Sequence, residues 1–387
     1  MQALFFLRGS GPTFVILLMI LLLSILGLVV AFVLWLVLYF TFASRIGGNP
    51  GGERLARIQA SPNYSAGKFK NPVPTDMNMP GRVMLKVMWE MLRGGDAREP
   101  KDIIPTVPFD KAAWERLPQT GFSFAWFGHS SLLIKLDGIT FLTDPMFGER
   151  ASTFSFAGPK RFPYTQHMRA DLLPQVDVVL LSHDHYDHLD HATITQLKDK
   201  RFIAPLGVGA HLEKWGVPAS SISEHDLWDE VSVGPVTLAL TPSRHFSGRS
   251  LTNRFSTLWG GWVLRGRDQR LYFGADSGYS PVFKEVGERL GPFDLVWLEC
   301  GAYNAHWANI HMFPEETAHA GTETRAGVLM PIHWGKFSLA LHPWKEPVER
   351  ISVKAGELGL PLLTPRIGRI VTGADLATSE RWWDGLR

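Results

Sequence analysis

The charge-free run between Arg8 and Arg45 does most to limit how this chain can fold. From residue 14 to residue 42 it is dominated by Leu, Val, Ile and Phe. A helix needs about 20 apolar residues to cross a bilayer, whereas the core of a cleaved signal peptide takes about 7–15. Inside lipid the backbone has no water to bond, so such a run must close its hydrogen bonds internally, as a helix. The run predicts a transmembrane helix over residues 12–43 behind a short tail at 1–11. Gly11-Pro12 marks its entry, Trp35 and Tyr39 fall where an interfacial aromatic belt lies, and Gly47-Gly48-Asn49-Pro50-Gly51-Gly52 ends it. A buried core helix and an uncleaved secretory signal are the competing readings. Only Arg8 precedes the span, whereas Arg45, Arg54, Arg57, Lys68 and Lys70 follow it. Positive charge favours the cytoplasmic side, which places the C-terminal part there.

The remainder of the 387 residues is enough for one large or two ordinary domains. A net charge of +2, with no basic stripe among aromatics, argues against a nucleic-acid partner, and no protein partner can be inferred. The single cysteine, Cys300, ends the apolar run Leu295-Val296-Trp297-Leu298-Glu299 and reads as a small core residue. It also excludes an intrachain disulfide and a thiolate-rich metal site.

Any metal ligands must therefore be His, Asp or Glu, and six consecutive residues concentrate them: His183-Asp184-His185-Tyr186-Asp187-His188. Neutral imidazoles and carboxylates are ligands that zinc accepts, and so dense a polar group is otherwise costly after a buried strand. In an extended segment His183 and His185 point the same way, while Asp187 and His188 turn toward a second position. One loop can thus feed two metals; the bland alternative is a surface loop rich in His and Asp.

Residues 44–118 turn to Gly, Pro, Asn and Arg and read as a membrane-proximal connector. Within it Arg82, Lys86, Glu90 and Arg93 recur at helical spacing among Val, Met, Leu and Trp. That pattern is a short amphipathic helix, lying on the bilayer or docked on the catalytic domain. Residues 119–375 read as a hydrolase domain of short strands and helices, followed by a tail at 376–387. Expected strands are Phe122–Phe127, Leu132–Leu136, Ile139–Thr143, Val176–Leu181, Phe202–Ala204, Val236–Leu240, Trp259–Leu264, Leu271–Gly274 and Leu295–Leu298, with a helix at Pro314–Ala320. His183, His245, Asp276 and His333 each follow a strand-like run, so separate strand ends deliver ligand-type side chains.

This arrangement resembles the metallo-β-lactamase superfamily, whose signature is His-x-His-x-Asp-His followed by a distal His, a bridging Asp and a final His. Within it the pattern is similar to N-acylphosphatidylethanolamine-hydrolysing phospholipases D and their bacterial relatives. The matching stretches include Gly128-His129-Ser130-Ser131, Phe141-Leu142-Thr143-Asp144-Pro145, Gly158-Pro159-Lys160-Arg161-Phe162, Thr241-Pro242-Ser243-Arg244-His245, Gly301-Ala302-Tyr303 and Ile332-His333-Trp334-Gly335. Glu299-Cys300 and the stretch from His306 to His311 depart from it, as does the apolar N-terminal span.

The resemblance implies a four-layered αββα sandwich, an α/β fold, with two Zn2+ at its edge; iron or manganese suits the same ligands. It implies that His183, His185 and His245 hold one metal, Asp187, His188 and His333 the other, with Asp276 bridging. It further implies that Asp187, Asp276 and His311 act in catalysis, His311 by donating to a phosphoryl oxygen or leaving group, its alternative being a helix-entry histidine. Asp144 would orient a ligand imidazole, with His129 supporting the same site. The expected activity is phospholipase D-type cleavage of a membrane N-acylphosphatidylethanolamine to N-acylethanolamine and phosphatidic acid by a metal-held hydroxide. The expected setting is a single-pass protein of a bacterial inner membrane with its catalytic domain cytoplasmic. A di-metal lactonase or other small-ester hydrolase is the alternative enzyme, and a non-catalytic, metal-dependent membrane scaffold or sensor the alternative class.

Overall fold

The computed structural model describes residues 11–387 except 96, 251, 377 and 378. The expected tail, apart from Gly11, and Arg8 within it lie outside the described residues. The chain divides into two compact units, Met1–Ile46 and Gly47–Arg387. In the first, α1 (Gly11–Phe42) is a single helix, and Phe14–Phe40 is long and apolar enough to cross a membrane, with 0% of the stretch buried. Mid-helix, Ser24 donates its hydroxyl to the Ile20 carbonyl at 2.7 Å, so this polar side chain satisfies itself within the helix.

The second unit begins with α2 (Gly52–Ala60), a two-residue hairpin of β1 (Tyr64–Ser65) and β2 (Lys68–Phe69), α3 (Gly81–Arg93) and α4 (Lys111–Glu115). A seven-stranded sheet follows, built from β3 (Phe122–Trp126), β4 (Leu132–Leu136), β5 (Ile139–Thr143), β6 (Val178–Leu180), β7 (Arg201–Pro205), β8 (Ile222–His225) and a last strand, Ile370–Thr372. Its order is the last strand, then β3 to β8, with α5 (His191–Gln196) and α6 (Gly209–Lys214) in the connections. The second sheet has six strands: β9 (Glu230–Val233), β10 (Val236–Thr241), β11 (Gly261–Arg265), β12 (Arg270–Phe273), β13 (Leu295–Glu299) and β14 (Leu329–Ile332), adjacent in that order. With it go α7 (Val282–Leu290), α8 (Pro314–Glu323) and α9 (Glu346–Glu357), before the edge strand β15 (Ile370–Thr372) returns to the first sheet.

Period-two alternation explains the layers. On β3, Phe124 and Trp126 enter the core between the sheets, while Ala125, like Phe127 just past the strand, faces the other side, where Ile194 and Leu212 of α5 and α6 pack. On the second sheet Trp297 faces the shared core, whereas Val296 and Leu298 meet Val282, Ala318 and Ile351 of α7, α8 and α9. The result is the expected αββα sandwich. Residues 47–118 pack onto it: Ile58, Phe69 and Ile104 join the core between the sheets. Strand ends differ from expectation by a few residues. The strand expected from Trp259 starts at Gly261, because Gly260 N–H donates to Ser182 O and the Trp259 indole to Ser243 O, across rather than along the ladder.

Candidate metal centre

The ligand-type residues gather where strands end. The loop after β6 carries His183 to His188; His245 follows β10, Asp276 follows β12 and His333 follows β14 directly. His129 sits between β3 and β4, and Asp144 caps β5. Here the chain leaves the sheet through left-handed backbone, at φ 57° for His129, 35° for Asp144, 52° for Ala275 and 64° for His333. Each such residue costs about 1 kcal/mol or more, tolerated where the surrounding structure fixes the turn. The same turns swing these side chains inward.

Asp276 is the centre. Its Oδ2 lies 3.1 Å from Nε2 of both His188 and His333, 3.7 Å from that of His245 and 3.8 Å from that of His183. On one side, His185 Nδ1 is 3.0 Å from His183 Nε2 and 3.2 Å from His245 Nε2. On the other, Asp187 Oδ2 lies 3.3 Å from His333 Nε2 and 3.4 Å from His188 Nε2. The donor atoms of His183, His185 and His245 fall within 4.8 Å of one another, and so do those of His129, Asp187, His188 and His333. Two neighbouring groups of nitrogen and oxygen donors thus share one carboxylate between them.

These donors fit divalent cations. Among the described residues, the buried Nε2 of His185 and Oδ1 of Asp276 have no hydrogen-bond partner. Orphaned polar atoms this concentrated are rare in folded proteins unless something binds them. The electrostatics agree. Burial holds His183 and His245 well below the ordinary imidazole value, leaving them neutral with lone pairs free. Burial would raise the Asp276 carboxyl, but His188 and His333 outweigh it and hold it well below the usual range. Burial likewise opposes charge on His333, yet Asp276 and Asp187 lift it to about 10. Without a cation, then, the two carboxylates draw protons onto His188 and His333. The centre is built to be paired with positive charge.

A ring of buried partners fixes the donors. Asp144 accepts from Ser182 N–H at 2.8 Å, Ser182 Oγ at 2.5 Å and His188 Nδ1 at 2.8 Å. His129 Nε2 contacts Asp187 Oδ2 at 2.9 Å, and burial depresses this imidazole to about 3, so it donates as a neutral ring. His245 Nδ1 donates to Ile310 O at 3.0 Å, while the Asn71 amide brackets the His245 backbone, accepting from N–H at 2.9 Å and donating to the carbonyl at 2.7 Å. Asp184 points away from the cluster and accepts from Gly248 N–H, Thr257 Oγ1 and His211 Nε2 at 2.7, 3.0 and 3.2 Å. His311 lies beside the centre, its donor atom grouped with those of His245 and Asp276. Behind it the buried Glu299 carboxylate sits 3.4 Å from His311 Nδ1 and accepts from Met312 N–H. Glycine serves one contact directly: a Cβ at Gly301 would overlap the His333 carbonyl.

All the site residues expected from the sequence converge here. Asn71, His211 and Arg254 were not anticipated. Asn71 and His211 act through tertiary contacts with no local pattern, and Arg254 is a lone loop arginine. A cavity of about 390 Å³ borders the cluster, with His185, Asp187, Asp276, His311 and His333 in its lining. Met77, Met79, Met91, Phe246, Trp307 and Leu339 make its walls apolar, and Arg254 contributes a cation. A neighbouring groove of about 630 Å³ shares Met91 and Leu339 with it.

Residues 140–334 match the profile of the beta-lactamase superfamily domain. An uncharacterized protein of Mycobacterium tuberculosis is 40% identical over 343 residues, covering 86% of this chain and 91% of its own length. The N-acyl-phosphatidylethanolamine-hydrolyzing phospholipase D 1 of Caenorhabditis elegans is 35% identical over 236 residues, 57% of this chain and 66% of its own. Among solved structures, an isothiocyanate hydrolase from Delia radicum gut bacteria superposes with a TM-score of 0.52 at 21% identity, over 65% of this chain and 98% of that one, a likeness of fold. With its αββα layers, its paired donor groups and these matches, the chain belongs to the metallo-β-lactamase superfamily of metal-dependent hydrolases.

Proposed function

We propose that the chain is a membrane-anchored, di-zinc phosphodiesterase that cleaves N-acylphosphatidylethanolamine to N-acylethanolamine and phosphatidic acid. The observation that carries this reading is the cavity wall. Met77, Met79 and Met91, from the segment between the apolar helix and the sandwich, border the same space as Asp187, Asp276 and His333. An apolar passage leading to a polar floor suits an ester whose acyl chains are long and whose reacting phosphate is charged. The similarity to the worm phospholipase D supports the same substrate class.

In this reading His183, His185, His245, Asp187, His188, His333 and Asp276 would hold two zinc ions. The ions would supply Lewis acidity and lower the pKa of nearby solvent. The chain's own residues do the rest. Arg254 faces the phosphate charge, and the apolar walls exclude bulk water from the phosphorus. His311, beside the Glu299 carboxylate, donates a proton to the N-acylethanolamine oxygen as its bond to phosphorus breaks, while a water oxygen bonds to phosphorus; the proton that this water loses afterwards restores His311. The cations that follow the apolar helix support a cytoplasmic site.

The test incubates metal-loaded wild type and Asp276→Asn with N-acylphosphatidylethanolamine in vesicles and measures both products by mass spectrometry. Wild type should release them, and the variant about 100-fold less or below. Intact lipid, under conditions where a lactone is turned over, would sink the phosphodiesterase reading. Equal release by both proteins would sink the role of the centre.

A further inference from the structure

Helix α3 is attached to the sandwich by a narrow seam. Val87 is 7% exposed and Val83 and Glu90 are half-buried, whereas Leu85 and Trp89 are each 65% and Leu92 81% exposed. Met84, Met88 and Met91 are exposed as well. At about 100° per residue, Met91, Met84, Met88, Leu92, Leu85 and Trp89 follow one another around an arc of about 160° on the side away from the seam. Arg82, Arg93 and Lys86 come next in a single row, and only then Glu90, which pairs with Lys86 at 3.8 Å. Six large apolar side chains in one outward arc are more than scattered exposure explains, and the flanking row is cationic.

We propose that α3 is an interfacial helix whose apolar arc lies at the headgroup–acyl boundary of an anionic phospholipid bilayer, with Arg82, Lys86 and Arg93 against the lipid phosphates. Two further observations select this occupant. Methionine, leucine and tryptophan beside a row of Arg and Lys is the composition that suits a lipid boundary. The same chain carries a helix able to cross a membrane, and α3 starts 34 residues after the second unit begins at Gly47, so tethering keeps it near lipid. Met91, at the inner edge of the arc, borders both the cavity over the cluster and the adjoining groove. The immersed helix is then also the wall along which a lipid leaves the bilayer for the site, a step that rests on the proposed function, whereas the immersion does not.

The experiment uses the full chain in nanodiscs containing phosphatidylglycerol. Nitroxides are attached to Met84→Cys, Leu85→Cys, Met88→Cys, Leu92→Cys and Lys86→Cys, one at a time; the native Cys300 is buried and escapes labelling. Collision rates with oxygen, which enriches in lipid, and with a water-soluble nickel chelate report depth. Oxygen should exceed nickel severalfold at 84, 85, 88 and 92, with the reverse at 86. Nickel-accessible labels at all five positions would overturn the proposal. Hydrolysis of the lipid by a protein with water-exposed labels removes the interfacial helix alone; immersed labels on a protein inert toward the lipid remove the substrate assignment alone.

Discussion

Replacing Asp144 by Asn tests whether the centre depends on its buried support. Asp144 is 0% exposed and accepts three hydrogen bonds, one through Oδ1 from Ser182 N–H and two through Oδ2 from Ser182 Oγ and His188 Nδ1. Asparagine keeps the shape but has one acceptor atom. If its amide nitrogen takes the Oδ2 position, His188 Nδ1 must surrender its proton to accept, and the proton moves to Nε2, the atom facing Asp276. That nitrogen can no longer bind a cation. If the amide flips, its nitrogen meets the Ser182 N–H, a buried donor against a donor, at a cost of about 1–3 kcal/mol. Either way one state of the site is penalised. Loss of such an orienting partner typically lowers metal affinity about 10–100-fold, which corresponds to about 1.4–2.8 kcal/mol. Competition against a chromophoric chelator measures that ratio, and thermal unfolding with and without zinc should show a smaller metal-induced gain in Tm. Equal affinity and equal gain in Asp144→Asn and wild type would refute the reasoning.

Two other perturbations probe separate parts of the site. Gly301→Ala drives a methyl group into the His333 carbonyl and should cost about 1–3 kcal/mol while lowering bound zinc; equilibrium unfolding and metal analysis read both. Lys336 is buried, with Nζ donating to Phe127 O and Met146 O, and burial pushes its ammonium from 10.5 down to about 7. The unfolded chain therefore holds more proton between about pH 7 and about pH 10, so stability should rise with pH across that window, and Lys336→Met should flatten the rise in urea unfolding.

Much of the centre was legible because its residues lie where a local pattern changes. A strand-like run breaks at His183, His245, Asp276 and His333, and each break is visible one segment at a time. His129 carried less signal, since its partner Asp187 lies 58 positions away and only the meeting of two strand ends brings them together. The same holds for Asn71 at His245 and His211 at Asp184. Helices α7 and α9 and strands β8, β9 and β15 were not anticipated. They are short or polar on their outer faces, and packing against the sheets settles them more than propensity does. Residues 44–118 read as a connector because Gly and Pro are frequent locally. Ile58 and Phe69 are isolated apolar residues in that stretch, and tertiary contact alone reveals them as core.

The Asn71 amide that brackets the His245 backbone has a consequence for how this protein can be divided. The segment matching the superfamily starts at residue 140, yet Asn71, the methionines of the cavity wall and His129 all precede it. Trimming to the matched segment would leave donor residues in loops without their backbone clamp, their greasy wall or the Asp187 partner. The stretch next to the apolar helix is thus part of the site's own framework, and a cut made for solubility has to fall before Asn71 to keep these contacts.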